Sequence, residues 1–320
     1  MNILLTATRV EGAPASVVLD AAAGPWKERA DVDSVPVSDG EGDLCEVLAQ
    51  LSGGELGAIE SAGVPVPSLV SNRRWVLDLS QSWGENSRGL GVALTTVLAE
   101  NPSRLVLNLP RRVFPDLGEA MLEEMGFSGV EDLATAFADV DVLVTCSAEQ
   151  PLLGVNGLPR WLDRHGALSA LEAQELEKSI GGRLPRSARQ SLLSDDLDPK
   201  SPTSGIGGGA AMLLQAAGAR TAWAGDVVAG AIAPRLTEVD LVVYVTGEIG
   251  LDLPRSLFTL ADHAEKDAIP VIVIYGEGRL QRHELARFGL SGSYSYAPEG
   301  VNLAGLARAM GPISQTWART

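Results

Sequence analysis

Residues 241–252 read Leu-Val-Val-Tyr-Val-Thr-Gly-Glu-Ile-Gly-Leu-Asp. The opening Leu241–Val245 is an uninterrupted apolar run rich in β-branched side chains. Such a run predicts a strand covered on both faces, as in a parallel sheet. Thr246-Gly247-Glu248 then breaks it, and Asp252 follows shortly after. Two carboxylates, Glu248 and Asp252, are thereby expected just past the strand's carboxyl end, where open parallel sheets bind ligands. Paired carboxylates there suit Mg²⁺ binding or proton abstraction. Taken alone, the stretch reads more simply as an acidic turn, because Gly and Asp are ordinary turn residues.

Outward from this stretch, strand-like runs alternate with helix-like ones. Strands are expected at 2–7, 75–79, 104–109, 140–145, 270–275 and 293–297, with Val35-Pro36-Val37 as a short extended piece. Helices are expected at 15–23, stopped by Gly24-Pro25, and at 44–51, 87–100, 116–124, 130–138, 169–180, 257–266, 280–288 and 301–310. Residues 55–72, with Pro65 and Pro67, read as an irregular connection, and 195–204 as a linker. Strand–helix alternation is the pattern of a parallel α/β sheet with crossovers.

The chain has 320 residues and a net charge of −16, with no clustered basic stripe. That sets nucleic-acid binding aside. No apolar run is long enough to span a bilayer, and the start lacks the positive flank of a signal peptide, so a soluble, cytoplasmic protein is expected. Cys45 and Cys146 form no metal or disulfide pattern, and Cys146 is expected in the core. There is no Gly-x4-Gly-Lys-Ser/Thr loop and no Gly-x-Ser-x-Gly elbow, and the histidines are far apart. With lysine only at 27, 178, 200 and 266, phosphate chemistry would rest on arginine, backbone N–H groups and Mg²⁺. Two more features bear on that. Ser87 is a plausible N-cap followed by Arg88, whose charge at a helix amino end points to a bound anion or to simple exposure. Gly205-Ile206-Gly207-Gly208-Gly209 opens a helix, which suits phosphate approach or tight helix packing.

The order of these turns resembles the type I glycerate kinases. Residues 35–42, Val-Pro-Val-Ser-Asp-Gly-Glu-Gly, are similar to that family's Val-Pro-Val-Ala-Asp-Gly-Gly-Glu-Gly. Ser87-Arg88-Gly89-Leu90-Gly91 is similar to its Ser-Arg-Gly-Thr-Gly. Asp116, Gly118 and Gly126, then Pro151–Gly157, Gly205–Ala211 and Thr246-Gly247-Glu248 with Asp252, follow in the family's order. The departures are equally definite. The amino-terminal Pro-Asp-Ser-x-Lys is replaced by Ala7-Thr8-Arg9-Val10-Glu11, and Gly-Gly-Ser-Ala-Thr by Pro110-Arg111-Arg112-Val113-Phe114. Pro110 removes a backbone donor from that turn, while Arg111 and Arg112 add charge.

The resemblance implies two parallel-sheet α/β domains, one inserted into the other, with an interdomain cleft: residues 1–70 plus 225–320, and residues 71–224. It implies transfer of a phosphoryl group from ATP to glycerate or a related small hydroxy acid. Glu248, Asp252 and Asp116 are then the catalytic candidates, with Glu248 and Asp252 also holding Mg²⁺. Asp39, Glu41, Ser87, Arg88 and Gly89 are the substrate-binding candidates. Gly205, Gly207, Gly208, Gly209, Thr246 and Gly247 are the candidates for ATP. The partner expected is a small molecule, without nucleic acid or membrane, and a homodimer is compatible. The lost family residues keep open a second reading, a catalytically inactive member serving as a ligand sensor or scaffold.

Overall fold

In a computed structural model, residues 1–184, 198–250 and 253–318 are described. The chain divides into two compact units. Unit 1 comprises Met1–Asp39, Glu46–Gly53 and Ala224–Thr320, and unit 2 comprises Gly40–Cys45 and Gly54–Trp223.

Unit 1 is built on β1 (Asn2–Ala7), β2 (Asp31–Pro36), β9 (Leu241–Ile249), β10 (Val271–Gly278) and β11 (Gly292–Ser295), in the order β11-β10-β9-β1-β2. Every pairing is parallel. β9 is the middle strand, and Leu241 to Thr246 are all buried, as the apolar run predicts. One face packs on α1 (Ala15–Lys27) and α12 (Leu303–Trp317), joining Leu5, Val243 and Ile274 to Val18, Trp26, Leu306 and Met310. From the opposite pleat Tyr244 reaches Ser256 of α10 (Arg255–Lys266) at 2.7 Å. α9 (Ala224–Ile232) and α11 (Arg282–Arg287) also belong to this unit.

Two helices here run past their expected stops. α1 continues through Pro25 to Lys27 because Trp26 is fully buried and its indole N–H donates to Met310 Sδ at 3.3 Å. Burying roughly 200 Å² of tryptophan at about 25 cal/mol per Å² is worth about 5 kcal/mol. That exceeds the about 3 kcal/mol a helix-interior proline costs. α12 likewise carries Pro312 and extends to Trp317, whose indole N–H donates to Tyr294 Oη at 2.7 Å.

Unit 2 holds β3 (Glu55–Ser61), β4 (Val64–Ser71), β5 (Arg74–Asp78), β6 (Arg104–Asn108), β7 (Asp141–Cys146) and β8 (Arg220–Trp223), in sequence order across one sheet. β3–β4–β5 are antiparallel and β5–β8 parallel. The helices are α3 (Arg88–Ala99), α4 (Glu119–Met125), α5 (Val130–Ala136), α6 (Leu158–Arg164), α7 (Ala170–Arg183) and α8 (Ala210–Ala216); α2 (Leu44–Ser52) starts in this unit and continues into unit 1. α6, β8 and α9 were not among the expected elements.

The hairpin β3–β4 corrects the expectation of an irregular connection and, with it, the boundary at 70/71. Residues 55–70 belong to the inserted unit because β4 pairs onto β5. Pro65 and Pro67 are tolerated because the β4–β5 ladder begins only at Ser68, leaving one side of that stretch as an edge. Part of the expected linker, residues 195–197, lies outside the described residues, as does Asp252.

Candidate functional site

In unit 1 the chain moves from β1 to β2 on one side, and from β9 through β10 to β11 on the other. The connections therefore reverse between β1 and β9, and open α/β sheets bind ligands outside the carboxyl ends of strands at such a switch point. Thr8 follows β1; its N–H donates to Val245 O at 3.0 Å and its hydroxyl to Thr246 Oγ1 at 3.1 Å. Thr246 and Gly247 thus sit at the crossover, with a Cβ on Gly247 meeting Val10 at 3.7 Å. Glu248 is not past the strand end, as expected, but inside β9, opposite Glu277 of β10. The ladder carries the strand beyond the glycine. Register partners on neighbouring parallel strands share a face, so two exposed carboxylates stand side by side. Glu277 was missed because it lies in Tyr275-Gly276-Glu277-Gly278, which reads as a turn. Among the described residues, no group of three or more His, Cys, Asp or Glu is arranged to hold a metal ion.

Tyr296 closes the same end of the sheet. It is fully buried, its hydroxyl has no hydrogen-bond partner among the described residues, and a Cβ on Gly276 would lie 2.8 Å from it. Burial first, and then the charges of Glu11 and Glu277, push the phenol up to about 12. Asp39 is anchored within unit 1. Its carboxylate accepts from Ser256 N and Ser256 Oγ, both at 2.8 Å, at the amino end of α10. It satisfies an otherwise orphan helix donor.

In unit 2 a buried polar row crosses the carboxyl ends of three strands. Asp78, Asn108 and Thr145 occupy register positions on β5, β6 and β7 and are at most 1% exposed. Asn108 Nδ2 donates to Asp78 Oδ1 at 2.8 Å and to Gly40 O at 2.9 Å, and Thr145 donates to Asn108 Oδ1 at 3.2 Å. Asp78 also accepts from Leu44 N at 3.0 Å and from Ser80 Oγ at 2.6 Å. The row fixes the turn that carries Gly40 and Glu41. Its signal was present as three matching segments, Trp-Val-Leu-Asp78, Leu-Val-Leu-Asn108 and Val-Leu-Val-Thr145, each an apolar run closed by a polar residue.

The remaining candidates are structurally engaged. Ser87 does not cap its own helix; its hydroxyl donates to Asp116 Oδ2 at 2.5 Å and accepts from Met121 N at 3.0 Å. Asp116 therefore ties the start of α3 to α4. Arg88 pairs with Glu124 at 2.9 Å and Glu123 at 3.3 Å, so its charge has protein partners. Gly89 packs on the end of β3, where a Cβ would meet Ser61 Oγ at 2.8 Å. Gly207, Gly208 and Gly209 are buried in left-handed conformations. Gly207 N donates to Pro110 O at 2.8 Å, Gly205 N to Gln150 O at 2.8 Å, and Gly208 O accepts from Leu117 N at 3.0 Å. This is the tight-packing alternative: the glycines let one loop lie on another, and the amides of Gly205 and Gly207 already have acceptors.

Beside this loop stand Arg111 and Arg112. Arg111 is half-buried, and its guanidinium is held below its ordinary value, first by burial and then by Arg112, with Glu41 and Cys146 opposing. Cys146 is buried, as expected, and burial pushes its thiol up to about 12.

The family model described as the glycerate kinase family matches residues 111–316. The solved structure of the "putative glycerate kinase 2" from Salmonella typhimurium LT2 is similar over 99% of this chain and 98% of that one, with a TM-score of 0.75 and 18% sequence identity. No curated protein matches the chain. No helix among the described residues is long and apolar enough to cross a membrane.

Proposed function

We propose a function from one premise: the chain belongs to the glycerate kinase family. The reading is a phosphotransferase that moves the terminal phosphoryl group of ATP to a hydroxyl of glycerate or a related small hydroxy acid, releasing ADP and a proton. The observation that carries it is the switch point between β1 and β9, where Thr8, Thr246 and Gly247 meet the paired carboxylates Glu248 and Glu277. Phosphoryl transfer depends mostly on positioning and charge neutralisation. Mg²⁺ is commonly held by one or two carboxylates together with substrate phosphates. Glu248 and Glu277 suit that role, and bound Mg²⁺ would supply charge neutralisation on the phosphates. The Thr8 hydroxyl donates to Thr246 and that of Thr246 to Glu248 O at 3.3 Å, which ties the end of β1 to the stretch that carries Glu248.

The test is a coupled ADP-release assay with Mg²⁺-ATP across glycerate, lactate and tartrate. Release that requires both a hydroxy acid and Mg²⁺ is expected. Absence of release with every acid overturns the reading and leaves a family member that binds ligands without catalysis.

A further inference from the structure

Where the family pattern has small residues after the strand, this chain carries Pro110-Arg111-Arg112-Val113-Phe114, one residue beyond β6. Pro110 has no N–H, and its carbonyl accepts from Gly207. Phe114 O lies 2.5 Å from where a Cβ on Gly208 would be. The loop is therefore held against the glycine run and is a poor backbone cradle for phosphate. What it presents instead is arginine. Arg112 stacks on Trp161, its guanidinium carbon 4.9 Å from the ring centroid. Arg111 has no hydrogen bond or ion pair with any described residue.

We propose that Arg111 is the residue that binds the carboxylate of a small organic acid at the carboxyl end of unit 2's sheet. A half-buried guanidinium without a hydrogen-bonded acceptor is costly, and an incoming anion removes that cost. Burial and the neighbouring Arg112 disfavour its charge, while Glu41 offsets them only in part. Cys146 supplies no counter-charge, since its thiol stays neutral at ordinary pH. Two arginines and one glutamate leave one positive charge locally, which suits a single carboxylate. The planar fork of arginine matches a carboxylate through two parallel N–H···O bonds. In a chain of net charge −16, such a local positive group is what admits an anion. The inference rests on the kinase reading only for the identity of the acid.

Calorimetry with glycerate, without nucleotide, reads this directly. Wild type is expected to bind glycerate. Arg111→Gln is expected to weaken binding about 10- to 100-fold, in the range of a charged hydrogen bond. Arg111→Lys, which keeps charge and loses the fork, should fall between and serves if the glutamine variant melts early. Glycerol, lacking the carboxylate, should show no difference between variants. Equal glycerate affinity in wild type and both variants overturns the proposal. So does the absence of binding by wild type to glycerate, lactate and tartrate, or Arg111-dependent binding of inorganic phosphate in preference to glycerate. Wild-type ADP release that Arg111→Gln leaves unchanged in KM also overturns it while sparing the kinase reading. Arg111-dependent carboxylate binding without any ADP release does the reverse.

Discussion

Glu248 and Glu277 face the same side of adjacent strands, and like charges so placed repel unless a cation or proton intervenes. If Mg²⁺ is that cation, Glu248→Gln should lower the ADP-release rate about 100-fold, the scale of losing one transition-state electrostatic contact. The fold should persist, because Glu248 is exposed and the change removes a repulsion. Glu175, exposed on α7, serves as the surface control. Equal rates in Glu248→Gln and Glu175→Gln would remove Glu248 from the site. A second residue-scale expectation concerns alkaline pH. Cys146 moves from an ordinary 9.0 to about 12, and Tyr296 from 10.0 to about 12. Both hold their protons longer folded than unfolded, so their contribution is complete below about pH 9 and is lost as pH rises toward 12. Between pH 9 and 10 the thiol is the larger contributor, worth about 1 kcal/mol over that unit, and the phenol adds roughly a third as much. Cys146→Val should therefore flatten the fall in thermal midpoint from pH 9 to 10 relative to wild type. Parallel curves would show that burial does not hold the thiol neutral.

Loop-on-loop packing at Ile206–Gly209 gives a test at the scale of elements. Gly208 has φ +64, and a Cβ there would sit 2.5 Å from Phe114 O. Gly166 has φ +72 with nothing within 4 Å. Both alanine variants meet the left-handed penalty of about 1–2 kcal/mol, but only Gly208→Ala must also push a backbone carbonyl aside. Its urea midpoint should fall further than that of Gly166→Ala, and equal shifts would mean the close approach is slack. The same elements show what a sequence can and cannot disclose. β9 was legible because a strand buried on both faces needs an unbroken apolar run, and Leu241–Val245 supplies one. β3 and β4 were not, because Pro65, Pro67 and Gly63 carry local turn signals that the partner strand overrides. The glycine run was visible, yet its meaning was not: phosphate approach and loop packing need the same absence of a side chain, and only the positions of Pro110 O and Leu117 N separate them. Arg88 is similar, since Glu123 and Glu124, which engage it, lie 35 and 36 positions away.

Charge is the property of the whole molecule that sets its response to salt. Acidic residues number 41 against 25 basic ones. The ion pairs of the described residues all involve side chains substantially open to solvent, such as Lys266–Asp262 and Arg220–Asp141. Exposed pairs of this kind contribute about 0–1 kcal/mol each and weaken with salt. Against them stands the self-repulsion of a net charge of −16, which salt also screens. The Debye length falls from about 30 Å at 0.01 M to about 8 Å at 0.15 M. Repulsion between acids spread over a surface acts across just that range, whereas paired groups a few ångströms apart are affected less. The repulsive term should therefore dominate, and sodium chloride between 0.01 M and 0.2 M should raise the thermal midpoint, by about 2–4 °C for each kcal/mol of repulsion removed. The same screening should lower the KM for an anionic substrate at first, since the long-range field opposes its approach while Arg111 acts at contact. A midpoint that falls with salt would show that the surface ion pairs outweigh the excess charge. A KM that only rises would show that the field near the substrate is already positive beyond the reach of Arg111.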